Sequence, residues 1–341
     1  MKNFYKKLNN EEIQCLACAN QCQIKNNQTG ICSVRKNENG KLKLLVDNRP
    51  IAINLDPIEK KPLFHFFPRT EIFSFGTFGC NFRCAFCQNW DISQITKGKN
   101  NLESFLTALT ELWPPQKIVN YCLENKIPAI AYTYNEPTIF IEYALDTMIL
   151  AHKNGLKNVF VSNGYQSEIT IKEIVPYLDA INIDLKSMNE KFYQKICGAH
   201  LDPVLKNIKT FYQKGVWIEL TTLLIPNEND SEKELKEIAQ FIAHIDKNIP
   251  WHISRFFPAY QMENYPATSM EKLKLAYQIG KENGLNFVYV GNITQSSMEN
   301  TFCPQCNAIL VSRDGYNIKI SDNFKKGQCL KCGAKIKGVW Q

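Results

Sequence analysis

No run of 18 uncharged apolar residues occurs in the 341-residue sequence, and the lysine-bearing start, MKNFYKKLNN, is not followed by an apolar stretch. The first absence argues against a membrane-spanning helix and the second against a secretory signal, so a soluble, cytoplasmic protein is expected. Concentrated charge is also missing. Lys and Arg number 40 against 33 Asp and Glu, a net charge of +7 without the clustered basic patch that nucleic-acid binding requires. Neither internal repeats nor low-complexity tracts are present, and the ordinary globular composition excludes fibrous and largely disordered classes.

What the chain has in quantity is cysteine. Thirteen are present, and without an export signal they read as metal ligands or redox groups rather than disulfides. They fall into three groups: Cys15, Cys18, Cys22 and Cys32; Cys80, Cys84 and Cys87; and Cys303, Cys306, Cys329 and Cys332. Cys122 and Cys197 stand alone in apolar patterns and read as small core residues.

Between about residues 72 and 290, short runs rich in β-branched and aromatic residues alternate with longer amphipathic stretches, the pattern of repeated βα units on a parallel sheet. Strands are expected at IFSFGTFG from Ile72, AIAYTY from Ala129, NVFVSNG from Asn158, AINIDLK from Ala180, WIELTTLLI from Trp217, HISRFFP from His252 and NFVYVGN from Asn286. Helices are expected at PPQKIVNYCLENK, at DSEKELKEIAQFIAHI behind an acidic cap, and at TSMEKLKLAYQIGKENG ending on glycine. The fold class predicted is therefore α/β, a partial or complete barrel with functional groups at the C-terminal ends of its strands. Residues 1–60 and 301–341 break the alternation and are read as Cys-rich metal-binding appendages around a barrel over 61–300.

The segment GTFGCNFRCAFCQNW places Cys80, Cys84 and Cys87 on a loop after the first expected strand, spaced C-x3-C-x2-C. Four-iron clusters normally take four thiolates, so three without a nearby fourth leave one iron open to a cofactor or substrate. Zinc with a remote ligand is the plainer alternative. C-x3-C-x-aromatic-C, with Phe86 before the last cysteine, resembles the signature of the radical S-adenosylmethionine (SAM) superfamily. PIEKKPLFHFFP, YTYNEPT, VSNGY, INIDLKSMN, WHISRFFPAY, VYVGN and the closing GVW extend the resemblance across nearly the whole chain. Together these strings resemble the radical SAM member of the AmmeMemoRadiSam system, related to pyruvate formate-lyase-activating enzymes.

That resemblance implies a (β/α)6-type barrel, a [4Fe–4S] cluster on Cys80, Cys84 and Cys87, and SAM chelating the open iron. Its cleavage would yield a 5′-deoxyadenosyl radical that abstracts hydrogen from an unidentified substrate. Glu136 is the expected acceptor for the methionine ammonium, although Tyr134 and Asn135 replace the superfamily's usual Gly-Gly and leave the role of Asn135 open. Asn163 and Gly164 resemble the Asn-Gly of activating-enzyme SAM pockets, with Val161 where relatives often carry Asp. Asp184 and Lys186 alternate with apolar neighbours, so they share one face of their strand. They match the activating enzymes' D-x-K, and Lys186 could meet the SAM carboxylate. Glu219, His252 and Arg255 read as ordinary polar residues at strand ends.

The two terminal quartets differ in spacing. Cys303/Cys306 and Cys329/Cys332 form paired C-x2-C knuckles around an expected β-hairpin, which favours structural zinc over an auxiliary cluster. Cys15, Cys18, Cys22 and Cys32 suit zinc or iron–sulfur equally, and their metal is left undecided. The family name implies Memo-like and AMMECR-type partners, and the chemistry implies an electron donor such as flavodoxin or ferredoxin. A glycyl-radical activase is the neighbouring enzymatic reading. A noncatalytic zinc-dependent interaction protein is the rival from another class, and a multicluster electron carrier would need no SAM pocket.

Overall fold

The computed structural model describes residues 4–99, 102–293 and 296–340. Its centre is an eight-stranded sheet whose members, numbered here in chain order, are β1 (Ala52–Pro57), β2 (Glu71–Gly76), β3 (Ala129–Tyr132), β4 (Lys157–Ser162), β5 (Ala180–Asp184), β6 (Trp217–Leu224), β7 (Trp251–Arg255) and β8 (Val288–Gly291). Neighbours in space are neighbours in sequence throughout. β1 pairs antiparallel with β2, and every later pair is parallel, so six crossovers link seven parallel strands. The ladder ends at β1 and β8 without closing, which makes the barrel partial.

All seven strands expected from the sequence are present, and they are buried almost throughout, as parallel strands covered by helices must be. β1 was not expected. Its AINLDP carries a charge and a proline and is partly exposed, which suits an edge strand and obscures it in an apolar pattern.

The helices follow their local signals with one exception. Pro115 opens Pro115–Glu124, and Met270–Glu282 is followed by Gly284 at φ +87°, whose N–H returns to Lys281 O. At Glu232–Asp246 the cap is Ser231 rather than the acidic Asp230: Ser231 accepts from Glu234 N. Asp230 instead accepts from Asn227 N at 3.0 Å and pairs with Lys272.

Both terminal segments pack onto the sheet domain. The N-terminal one has a three-stranded antiparallel sheet (Tyr5–Lys7, Ile13–Cys15, Gln23–Ile24) and a hairpin (Arg35–Glu38, Lys41–Leu44). Asn39 and Gly40 turn that hairpin at positive φ, the conformation Asn-Gly favours. Its apolar side chains join the main core. The C-terminal segment contains the expected hairpin, Ile309–Asp314 with Asn317–Ile320, turning at Gly315.

The joint to the C-terminal segment explains two strings of the sequence. In the PLFHFFP segment His65 Nδ1 meets Lys337 O at 2.9 Å, and its Nε2 meets Tyr289 Oη at 2.6 Å. Across the GVW end Phe67 N donates to Val339 O and Val339 N donates to His65 O, each 2.7 Å. Arg313 donates to Phe64 O and lies 4.0 Å from the Phe64 ring centroid. Beneath this, buried Glu219 accepts from Phe64 N, His65 N, Trp217 Nε1 and His252, at 2.6–3.0 Å. Glu219 therefore works as a structural anchor.

Candidate active site

The cysteine loop leaves β2 where two strands crowd. A Cβ on Gly76 would lie 2.4 Å from Thr133 O, so only glycine lets the loop start here. Asn135 then holds the loop: its Nδ2 donates to Gly79 O (2.9 Å) and Thr77 Oγ1 (3.1 Å), while its Oδ1 accepts from Thr77 N (3.3 Å). On the far side Arg83 N and Ala85 N bond to Cys197 O and Ile196 O. The loop is thus fixed from both flanks by the protein's own hydrogen bonds.

Cys80, Cys84 and Cys87 all line one cavity of about 470 Å³ at the C-terminal ends of the parallel strands. Phe82 N donates to Cys80 Sγ at 3.4 Å, and Cys87 Sγ meets Ser93 Oγ at 3.1 Å. Burial pushes the Cys80 and Cys87 thiols up, and a hydrogen bond with Cys197 together with burial does so for Cys84. Phe86 is buried in the same wall, 5.5 Å from Lys186 Nζ.

The structure brings most of the sequence-derived site to this cavity. Asn135, Glu136, Asn163, Asp184 and Lys186 line it, together with Ser162 and Val161. Gly164 lies behind: at φ +73° it turns the chain, and a Cβ there would sit 2.8 Å from Ile183 Cγ2. Glu136 is the most heavily bonded of the set. Its carboxylate accepts from Thr138 N and Oγ1, Ser162 Oγ and Asn163 N, at 2.5–3.1 Å, so it caps the turn after Pro137 as well as facing the cavity. Burial pushes its pKa up despite these donors.

Lys186 Nζ and Asp184 Oδ2 are 2.8 Å apart. Burial opposes the charge on Lys186, but Asp184 and the nearby sulfurs outweigh it and hold its pKa well above the ordinary value. Asp184 is the more exposed partner, so the pair presents one buried cation and one accessible anion to the cavity.

Three features escaped the sequence reading. Lys60 and Lys61 line the cavity too, and Lys61 Nζ is 2.6 Å from Asp56 Oδ2, which also accepts from Tyr134 Oη at 2.5 Å. Burial lowers Lys61 to about 8, while its two lysine partners and Tyr134 hold Asp56 below the usual carboxylate range against its own burial. The adjacent lysines look like surface charge; their pairing with Asp56 is local in sequence, but only the folded sheet brings Tyr134 to the same carboxylate. Cys197, a buried free thiol outside the cavity lining, helps push the Cys84 thiol up. Asn81, next to Cys80, accepts from Asn163 Nδ2 at 2.8 Å, and its own buried Nδ2 has no partner among the described residues. His252 and Arg255 lie elsewhere, on the wall of a neighbouring cleft.

The terminal quartets adopt contrasting geometries. Cys303, Cys306, Cys329 and Cys332 bring their sulfurs within 4.8 Å of one another, the one such group of three or more ligands among the described residues. That spacing suits a single tetrahedral ion. Cys15, Cys18, Cys22 and Cys32 line a small enclosed cavity, with Arg35 Nε 3.2 Å from Cys15 Sγ. Burial pushes Cys32 up to about 11 and Cys18 higher still.

The radical SAM superfamily model matches residues 75–242. An uncharacterized protein of Methanocaldococcus jannaschii is 39% identical over 335 residues, covering 98% of this chain and 97% of that one. A pyruvate formate-lyase-activating enzyme of Clostridium pasteurianum is 24% identical over 220 residues, 60% of this chain and 87% of its own. Among solved structures, Streptococcus suis SuiB bound to S-adenosylmethionine aligns with TM-score 0.50 at 12% identity, over 71% of this chain and 56% of that one; this likeness concerns the fold alone. No helix among the described residues is long and apolar enough to cross a membrane.

Proposed function

The chain belongs to the radical SAM superfamily, whose members are enzymes, and on that premise we propose that it cleaves SAM reductively at a [4Fe–4S] cluster held by Cys80, Cys84 and Cys87. One observation carries the reading: three thiols from a single braced loop share a cavity with the Asp184–Lys186 pair, and they are not drawn into the spacing of a one-ion site. Three thiolates fit a cluster with one iron left open, whereas closed structural sites use four. The noncatalytic zinc reading accounts for neither a cysteine trio outside one-ion spacing nor the polar wall.

Cys80, Cys84 and Cys87 would hold the cluster, which when reduced by an external donor would supply one electron for cleaving SAM to methionine and a 5′-deoxyadenosyl radical able to take a substrate hydrogen. The residues of this chain orient and shield. Lys186, its pKa held well above the ordinary lysine value, would receive the methionine carboxylate, and Asp184, the more exposed partner, would serve its ammonium. Glu136 stiffens the floor through its hydrogen bonds and would offer its carboxylate to the ammonium. Asn163 spans from this floor to the cysteine loop through Asn81. Phe82 and Phe86 supply apolar wall that keeps water from the reacting atoms.

The C-terminal quartet is assigned structural zinc on its tight sulfur cage. Memo-like and AMMECR-type proteins are the proposed partners and a flavodoxin or ferredoxin the proposed donor, on the resemblance of the motifs. The similarity to an activating enzyme supports a second reading, transfer of the radical to a glycine of a partner protein. The test is anaerobic reconstitution with iron and sulfide, reduction with dithionite and SAM, and assay of 5′-deoxyadenosine. Formation in the wild type and none in Cys84→Ala is expected; intact SAM beside an assembled, reducible cluster overturns the proposal.

A further inference from the structure

The N-terminal quartet differs in kind from the C-terminal one, although both contain four cysteines. Metal–sulfur bonds of about 2.3 Å around one tetrahedral zinc hold the sulfurs within about 4 Å of one another. Two C-terminal pairs meet that condition, Cys303 with Cys332 at 3.5 Å and Cys306 with Cys329 at 3.7 Å, and all four sulfurs lie within 4.8 Å of one another. Cys15, Cys18, Cys22 and Cys32 do not form such a group, yet all four line the same cavity. A cage wider than one ion and lined by four thiols fits a cluster whose outer thiolates each sit on a different metal atom.

Two buried donors point to what fills that space. Arg35, 2% exposed, is fixed by a bidentate pair with Glu142 (2.6 Å each) and by Ile139 O, which leaves its Nε directed at Cys15 Sγ, 3.2 Å away. A positive N–H directed at sulfur is the contact that stabilises thiolates and tunes iron–sulfur centres. Asn81, 1% exposed, forms part of the cavity wall, and its Nδ2 has no partner among the described residues. A buried amide N–H without an acceptor is costly, and sulfur in the cavity would supply one.

The cavity is also part of the catalytic domain's framework. Asn20 Nδ2 donates to Asn81 O at 3.1 Å, and Ala19 N and Ser167 N bond to Tyr165 O and Ala17 O. Asn81 adjoins Cys80 and accepts from Asn163, so one residue touches both cysteine sites.

We propose that Cys15, Cys18, Cys22 and Cys32 hold a second [4Fe–4S] cluster. With a thiolate on every iron it is coordinatively closed and does not bind SAM. This assignment rests on its own four ligands and stands apart from the chemistry assigned to the central trio.

The test uses the full-length chain reconstituted anaerobically with iron and sulfide, with iron, sulfide and zinc counted and Mössbauer and EPR spectra recorded. The wild type should hold about eight iron and eight sulfide. A Cys80→Ala/Cys84→Ala/Cys87→Ala variant should retain about four of each, and its reduced EPR signal should be unchanged by SAM. A Cys18→Ala/Cys22→Ala variant should lose that SAM-insensitive signal and keep a SAM-responsive one. Failure of the SAM response in the second variant would strike the central site alone. About four iron in the wild type, all lost with the central trio, would overturn the second cluster, as would zinc in place of iron in the folded triple variant.

Discussion

Cys303, Cys306, Cys329 and Cys332, spread over 29 positions of sequence, converge within 4.8 Å, whereas Cys80, Cys84 and Cys87, much closer in sequence, share a cavity without converging. The difference lies in the backbone. Each C-terminal knuckle folds back on its own first cysteine, with Asn307 N bonded to Cys303 O and Gly333 N to Cys329 O. The Cys84–Cys87 knuckle also folds back, with Cys87 N bonded to Cys84 O, but the central loop has no second knuckle facing it and is held on both sides, by Asn135 on one flank and by the segment Ile196–Cys197 on the other. Cysteine spacing therefore names a metal site, and the scaffold decides whether it closes around one ion or faces a cavity.

The contrast breaks most sharply under substitution. Cys84→Ala should abolish 5′-deoxyadenosine formation to background while leaving zinc content and thermal unfolding close to wild type. Cys329→Ser should do the reverse: zinc is lost, and amide exchange across 301–340 rises toward unprotected rates, because a segment this short lacks a core sufficient without metal. Iron bound at the central site should be unaffected. If Cys329→Ser also empties the central site, the two regions are not independent.

Within the cavity, Lys186→Met should raise the KM for SAM about 10- to 100-fold, the scale of a lost charge-assisted hydrogen bond of about 1.5–3 kcal/mol. Steady-state kinetics across SAM concentrations checks this, and an unchanged KM would remove Lys186 from the binding site.

The smallest effect concerns the joint between the regions. Burial lowers His65 from 6.5 to about 4, so the folded protein keeps it neutral while the unfolded chain protonates first. Its contribution to stability is present above about 6.5, declines as pH falls toward about 4, and amounts to at most about 3 kcal/mol. Chemical denaturation at a series of pH values should show that decline in the wild type and a shallower one in His65→Gln. Equal slopes would show that His65 is not held neutral by the joint.

Much of this was legible from the sequence because the signals are local. The seven parallel strands are apolar β-branched runs, and alternation alone put Asp184 and Lys186 on one face, where they line the cavity while Ile183 and Leu185 are fully buried. What was illegible depends on distant partners. Asp56 reaches Tyr134 across 78 residues, and Cys197, which reads as an ordinary core residue, is buried against Cys84. Glu136 was legible as a cavity residue but not as the acceptor for Ser162 and Asn163, since their strand must first pack beside its own.

The open iron is tested most directly by electron–nuclear double resonance on the reduced full-length protein with SAM labelled with ¹⁵N at the methionine amino group. The account predicts hyperfine coupling between that nitrogen and the cluster, abolished in Cys84→Ala. A fully assembled, reduced cluster showing no coupling to the labelled nitrogen would contradict it.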